Sequence, residues 1–193
     1  KRPRRSWAQP AGASSTMTAM APKVFTTGRN SPMTSAIEPD ATDLSTAGAY
    51  GLSSGLFYAP GNFATTDELI ALASVASEFG GLYTSHIRDE GNYSVGLIAA
   101  VNEVILIAEE AKLPGIVSHM KVLGPDSWGL SVAATTRLNM ARRRGVEVFA
   151  DQYPYTASST SLTGAFIPRW AQVGGEAELQ RRMGAPETRR RLI

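Results

Sequence analysis

Apolar residues recur at helical spacing in three stretches of the chain, and a short run typical of a β-strand follows each stretch. The first predicted helix has an apolar face made of Leu69, Leu72, Ala73, Ala76 and Phe79. Thr65 and Glu68 stand at the spacing of a capping box, which predicts that this helix begins just after Thr65. Gly80 and Gly81 predict where it ends, and residues 82–86 are predicted to form a strand.

The same order of elements repeats twice more along the chain. The second helix is predicted to be capped by Ser94 and to bury a face made of Leu97, Ile98, Val101, Val104, Ile105 and Ala108. A strand at residues 116–119 follows this helix. The third helix is expected from about residue 127 to residue 144, ahead of a strand at 146–150, and a weaker pattern at 49–53 predicts one earlier strand.

Strands that alternate with helices of this length indicate parallel β/α units. Polar residues at the predicted strand ends are evenly spaced, since His86 and His119 are 33 residues apart and His119 and Asp151 are 32 apart. Both a β/α barrel and a doubly wound open sheet place their chemistry at such strand ends. The sequence lacks a glycine-rich phosphate fingerprint, so we expect an α/β fold that is part of a (β/α)8 TIM-type barrel, with about four β/α units.

The composition divides the chain into two parts and indicates a cellular compartment. Residues 1–47 are rich in Ser, Thr, Ala, Pro and Gly without a lasting period, so we expect an irregular lead-in there and the barrel portion at residues 48–193. No apolar run is long enough for a transmembrane helix, and we expect no membrane partner. The absence of Cys fits a reducing compartment, which predicts a cytoplasmic protein.

The basic character of the chain comes from its two ends. The formal net charge is +2 and the isoelectric point is near 9.1, yet residues 51–150 carry 7 basic and 10 acidic side chains. The basic cluster at residues 1–5 has no aromatic residues interleaved with it. We therefore expect a solvated terminus and no nucleic-acid partner.

The two histidines of the chain occupy equivalent positions, each directly after a Ser at a predicted strand end. Neutral imidazole is the commonest protein ligand for metal ions, so His86 and His119 are candidate metal ligands. The alternative is that both imidazoles are structural. A catalytic zinc site usually has three protein ligands, and Asp89, Glu90 and Asp151 are candidates for the third by position alone.

A cation stands two residues after each histidine, namely Arg88 and Lys121. Strand alternation would place each on the same side as its histidine, where a cation can hold a substrate carboxylate. The alternative is a surface charge paired with Asp89 or Glu90. Hydroxyl side chains near the predicted strand ends add further candidates for ligand contact: Tyr58, Tyr153, Tyr155, Ser158, Ser159 and Thr160.

Four ordered segments resemble one known family. They are residues 51–61 (GLSSGLFYAPG), residues 81–91 (GLYTSHIRDEG), residues 118–129 (SHMK followed by SWG), and residues 151–160 (DQYPYTA followed by ST). Over residues 48–193 the chain resembles the N-acyl-D-amino-acid deacylases (D-aminoacylases) of the amidohydrolase superfamily. The resemblance implies hydrolysis of the amide bond of a small-molecule substrate, an N-acyl-D-amino acid, to a carboxylate and a free D-amino acid.

The resemblance also implies a cofactor and site residues. It implies Zn²⁺ held by His86 and His119, with Lys121 fixing the substrate carboxylate. The residues that it implies against the substrate are Lys121, Tyr58, Tyr153 and Ser159. Bound zinc would activate water and polarise the scissile carbonyl.

The sequence departs from the family in three features. It has no His-x-His pair and no metal-bridging Cys, and the catalytic Asp of the last barrel strand is expected outside residues 1–193. We therefore expect a partial barrel that associates with itself through exposed strand edges. Two alternatives stay open, a non-catalytic scaffold or interaction module and another amidohydrolase such as a cyclic-amide hydrolase.

Overall fold

A computed structural model describes residues 49–192, and the predictions for residues 1–47 lie outside that range. Four strands form one parallel sheet, and their order in the sheet is their order in the chain. The strands are β1 (Gly51–Gly55), β2 (Leu82–His86), β3 (Gly115–Val117) and β4 (Val148–Ala150). A doubly wound sheet reverses its strand order at a switch point, so an unreversed order favours a barrel over that alternative.

One long helix connects each pair of neighbouring strands, and shorter helices follow the last strand. The connecting helices are α1 (Thr66–Glu78), α2 (Leu97–Ala111) and α3 (Ser131–Arg143). The shorter ones are α4 (Leu162–Phe166), α5 (Arg169–Gln172), α6 (Glu176–Gly184) and α7 (Pro186–Leu192). The alternation of strand and helix predicted for this part of the chain is confirmed.

Local sequence signals account for α1 most completely. The Thr65 hydroxyl accepts a hydrogen bond from the Glu68 N–H at 3.2 Å, and the Glu68 carboxylate accepts one from the Thr65 N–H at 2.6 Å. The predicted capping box is therefore present on both sides. The helix ends at Glu78, and Gly80 follows it with a φ of 69°, which is accessible to glycine at little cost.

Three local predictions were wrong. The residue before α2 is Gly96, and Ser94 makes no cap because its hydroxyl donates to Asp89 at 3.0 Å. A short 3₁₀ turn at Pro125–Ser127 precedes α3, so this helix starts at Ser131, four residues later than predicted. The strand β3 ends at Val117, two residues before the predicted end, and β4 begins at Val148, two residues after the predicted start.

The core lies between the helices and one face of the sheet. Tyr83, Val117 and Val148 on that face are fully buried, and the most buried helix is α2, with Val101 and Val104 at 0% exposure. Phe149, one residue further along β4, is 43% exposed because strand alternation turns it to the opposite face. None of the helices described between residues 49 and 192 is long and apolar enough to cross a bilayer.

Candidate metal centre

Both histidines lie at the carboxyl end of the sheet, beside two neighbouring strands. His86 is the last residue of β2, and His119 lies two residues beyond the end of β3. The centroids of their rings are 4.5 Å apart and the rings are inclined by 76°. Equal spacing along the chain becomes adjacency in space because β2 and β3 pair in parallel.

The end of β4 holds His119 in an uncommon backbone conformation. His119 has a φ of 41°, in the left-handed region that residues other than glycine seldom adopt. Its N–H donates to the Asp151 carboxylate, and the N–H of Met120 donates to the Asp151 carbonyl at 2.8 Å. Asp151 therefore supports the backbone of His119 and does not join the two imidazoles as a ligand.

Glu90 is the carboxylate that joins the two imidazoles. Its side chain is 2% exposed, and its Oε1 lies 3.4 Å from His86 Nε2 and 3.4 Å from His119 Nδ1. Lys121 Nζ donates to the same oxygen at 2.5 Å and lies 2.8 Å from His119 Nδ1. The candidate ligand atoms of His86, Glu90 and His119 all lie within 4.8 Å of one another.

The loop that carries Glu90 is organised by its neighbour Asp89. This fully buried carboxylate accepts hydrogen bonds from four backbone N–H groups, those of Gly91, Tyr93, Ser94 and Gly96. Burial by itself raises the pKa of the Asp89 carboxyl, but these four donors outweigh burial and keep the pKa below its ordinary value. An ionised Asp89 thus fixes the turn after β2 and, with it, the inward direction of Glu90.

The protonation states of the cluster suit a divalent cation. Burial tends to raise the pKa of Glu90, but His86 and Lys121 more than offset it, so the pKa stays below its ordinary value and the carboxylate is ionised. Burial, together with Lys121 and His86, lowers the pKa of His119, which favours the neutral imidazole. Metal ions bind ionised carboxylates and neutral imidazoles.

One imidazole nitrogen beside Glu90 is buried without a well-formed hydrogen bond. This atom is His86 Nε2, since Glu90 Oε1 lies 3.4 Å from it, and an unsatisfied polar atom is costly to bury. Two imidazole nitrogens and one carboxylate oxygen form a donor set that zinc uses in catalytic sites, and a cation among the three residues would give this nitrogen a partner. The residues present therefore fit a divalent metal.

A cavity of about 360 Å³ opens beside this cluster. Most of the predicted substrate residues line it together with the candidate ligands: Tyr58, Tyr153, Ser159 and Lys121, with His86, Glu90 and His119. Lys121 Nζ lies 5.8 Å from the centroid of the Tyr153 ring, and the Tyr153 hydroxyl is buried without a hydrogen-bond partner. The structure thus brings residues from four separate strand ends or following loops into one site.

Arg88 is the predicted substrate residue that the structure places elsewhere. Its guanidinium forms an ion pair with Glu103 at 2.8 Å and donates to the carbonyl oxygens of Asn62 and Ala64 at 3.1 and 2.9 Å. Strand alternation does not extend to Arg88, because β2 ends at His86. Arg88 therefore ties α2 to the segment before α1, and its charge is already satisfied away from the cavity.

Comparison with known proteins gives a consistent set of relatives, although no protein-family model matches the chain. The chain is 43% identical over 127 residues to an N-acyl-D-glutamate deacylase of Alcaligenes xylosoxydans xylosoxydans, an alignment that covers 66% of this chain and 25% of that protein. It is 38% identical over 122 residues to a D-aminoacylase of the same organism, with 63% and 24% covered. The chain thus spans about a quarter of the length of these relatives.

Comparison with solved structures leads to the same kind of relative. The chain superposes with a TM-score of 0.65 on an N-acyl-D-glutamate deacylase from Bordetella bronchiseptica, at 37% identity, over 85% of this chain and 37% of that one. That protein was crystallised with zinc and a phosphonate inhibitor that mimics the tetrahedral intermediate of its reaction. The predicted fold class, part of an amidohydrolase β/α barrel, is confirmed. By sequence and by fold, the chain is similar to the N-acyl-D-amino-acid deacylases (D-aminoacylases), which are amidohydrolases, and it corresponds to a part of their length.

Proposed function

We propose that the protein contributes the metal centre of a zinc-dependent hydrolase that cleaves the amide bond of N-acyl-D-amino acids. One observation carries this proposal: His86, Glu90 and His119 converge on one point, at the wall of a cavity that also holds Lys121. A non-catalytic scaffold would not require ionisable groups gathered at such a point, so the arrangement favours an enzyme.

Zinc is the proposed cofactor. His86, Glu90 and His119 would hold it, and the zinc complex of the Bordetella bronchiseptica relative supports the choice of metal. When bound, zinc supplies a Lewis acid for the scissile carbonyl and a nucleophile from water at neutral pH.

The side chains around the cluster would orient the substrate. Lys121 is the cation nearest the metal ligands, so its ammonium is the partner proposed for the substrate carboxylate. Tyr153, whose hydroxyl is buried without a partner, lines the same cavity, as do Tyr58 and Ser159. Among the described residues, Glu90 is the one carboxylate that lines this cavity.

The hydrolysis itself is the test of this proposal. The zinc-loaded protein that contains this chain together with the catalytic Asp expected outside residues 1–193 should release the free D-amino acid from N-acetyl-D-glutamate and N-acetyl-D-methionine, and should not hydrolyse their L-enantiomers. Release from neither D-substrate, by a protein shown to contain zinc, would refute the proposed activity.

Substitution of Lys121 tests its proposed contact with the substrate. We expect Lys121→Met to lower kcat/KM for N-acetyl-D-glutamate by roughly 10- to 150-fold, mainly through KM, because a hydrogen bond to a charged group contributes about 1.5–3 kcal/mol. Lys112→Met is the matched control, since Lys112 is exposed and lies outside the cavity. Equal kcat/KM for the two variants would exclude a substrate contact by Lys121.

Three further expectations stay predictions. They are the cytoplasmic location, the boundary of the barrel portion at residue 48, and self-association through exposed strand edges. The first strand and the fourth are the edges of the described sheet, so they are the surfaces on which such association would depend.

A further inference from the structure

A second cavity, of about 750 Å³, adjoins the metal centre and is not explained by the roles assigned so far. Tyr58 belongs to the walls of both cavities, so its ring is the partition between them. The rest of the wall comes from the segment around Phe63 and from helices α4, α5 and α6 with the turns beside them, including Thr163, Gly164 and Leu179. Its volume lies within the range of cavities that bind small molecules.

The order of side chains across the site gives the substrate a direction. The ring of Tyr58 packs against His86, with centroids 4.8 Å apart. Lys121 lies nearer to His119, with its Nζ 2.8 Å from His119 Nδ1 and 5.8 Å from the centroid of the Tyr153 ring. In an N-acyl amino acid, the carboxylate and the acyl chain leave the scissile amide on opposite sides. A carboxylate held by Lys121 therefore directs the acyl chain past His86 toward Tyr58 and the second cavity.

The second cavity suits an apolar occupant. Several polar groups in its wall already have partners: Ser161 Oγ accepts from the Gly164 N–H at 3.0 Å, and Gln172 Nε2 donates to the Ile167 carbonyl at 2.6 Å. Glu176 accepts from Gln180 at 3.1 Å. An apolar chain would leave these hydrogen bonds intact, whereas a polar ligand would have to compete for them.

The position of the partition is set by the loop before α4 and by α4 itself. The Tyr58 hydroxyl is 2.7 Å from Thr160 Oγ1. The edge of its ring lies against Gly164, where a Cβ atom would be 2.8 Å from ring carbon Cε1. The residue at position 164 can therefore be no larger than glycine without moving the ring or the helix.

We propose that the second cavity binds the acyl chain of the substrate, and that Tyr58, held by Thr160 and Gly164, separates it from the metal centre. This assignment rests on the proposed function, because it takes the substrate to be an N-acyl-D-amino acid. It makes acyl-chain length, and not the D-side chain, the property of the substrate that this cavity selects.

Equilibrium binding to the metal-depleted chain tests the assignment without hydrolysis of the ligand. The probes are N-acetyl-, N-butyryl- and N-hexanoyl-D-glutamate, measured by isothermal titration calorimetry. We expect the dissociation constant to fall roughly two- to fourfold for each added methylene, as burial of apolar surface predicts. An absence of binding, or dissociation constants independent of acyl length, would overturn the proposal.

Substitutions in the wall of the second cavity test whether the dependence of the dissociation constant on acyl length arises there. Thr163→Phe should narrow the cavity and reduce the dependence of the dissociation constant on acyl length. Leu162→Phe is the matched control on the same helix, because Leu162 is 76% exposed and lies outside the cavity wall. If Thr163→Phe does not fold, Gly164→Ala should reduce the dependence by displacing Tyr58, with Gly184→Ala as its control because no atom lies near that position. A length dependence retained in the folded wall variant would overturn the proposal.

Two readouts separate this proposal from the proposed function. The dissociation constant could instead fall with longer D-side chains and not with longer acyl chains, and Thr163→Phe could remove that fall. This result would assign the cavity to the D-side chain and overturn the proposal. Hydrolysis of N-acetyl-D-glutamate by the zinc-loaded protein reports the proposed function independently. Turnover with dissociation constants independent of acyl length would refute the acyl site alone.

Discussion

Replacing Glu90 with Gln is expected to raise the dissociation constant for zinc by at least roughly 100-fold. Loss of an outer-shell partner of a metal ligand already costs 10- to 100-fold in affinity, and Glu90 is proposed as a ligand itself. Glutamine keeps the size of the side chain but removes the negative charge that lies between His86 and His119. Competition with a chromogenic chelator at neutral pH measures the affinity.

The control for this substitution removes a carboxylate elsewhere. Glu110→Gln has the same chemistry at an exposed position of α2 and should leave zinc affinity unchanged. Circular dichroism checks that both variants keep their helices. Equal zinc affinity for the Glu90 and Glu110 variants would show that the buried carboxylate is not a ligand.

Replacing Arg88 with Met is expected to lower the free energy of unfolding by about 3–5 kcal/mol, as is usual when one partner of a buried ion pair is removed. The side chains of Arg88 and Glu103 are 11% and 10% exposed. Loss of the guanidinium would leave Glu103 buried with Thr66 as its remaining side-chain donor, and the carbonyl oxygens of Asn62 and Ala64 would lose theirs. Urea denaturation followed by circular dichroism measures the change.

An exposed ion pair provides the matched control for Arg88. Arg144 and Glu109 are 3.1 Å apart but 52% and 44% exposed, so Arg144→Met should cost less than about 1 kcal/mol. The double variant Arg88→Met with Glu103→Met should recover part of the loss, because no unpaired charge is then buried. An effect of Arg88→Met no larger than that of Arg144→Met would contradict the structural role given to this residue.

Features set by neighbouring residues were predictable from the sequence. The capping box of Thr65 and Glu68 depends on residues three positions apart, and β2 was predicted at its observed bounds. The adjacency of His86 and His119 followed from their equivalent positions at the ends of two consecutive predicted strands, because neighbouring parallel strands bring equivalent positions side by side. Pattern arguments succeed here since each rests on one element or on one repeat of the β/α unit.

Features set by side-chain contacts outside the regular strands and helices were not predictable in the same way. Glu90 was a ligand candidate by position alone, because its inward direction depends on the hydrogen bonds that Asp89 makes across the following loop. Arg88 pairs with Glu103, a partner 15 residues away on another element. Only the folded structure shows which of these neighbouring charged residues faces the cavity.

The central claim is that His86, His119 and Glu90 share one divalent cation, and X-ray absorption at the zinc K-edge tests it most directly. The zinc-loaded chain should show nitrogen and oxygen ligands at about 2.0–2.1 Å, with the multiple scattering of two imidazoles. That imidazole signal should disappear in the variant that combines His86→Ala with His119→Ala. A spectrum without imidazole scattering, or one unchanged in the double variant, would contradict the claim.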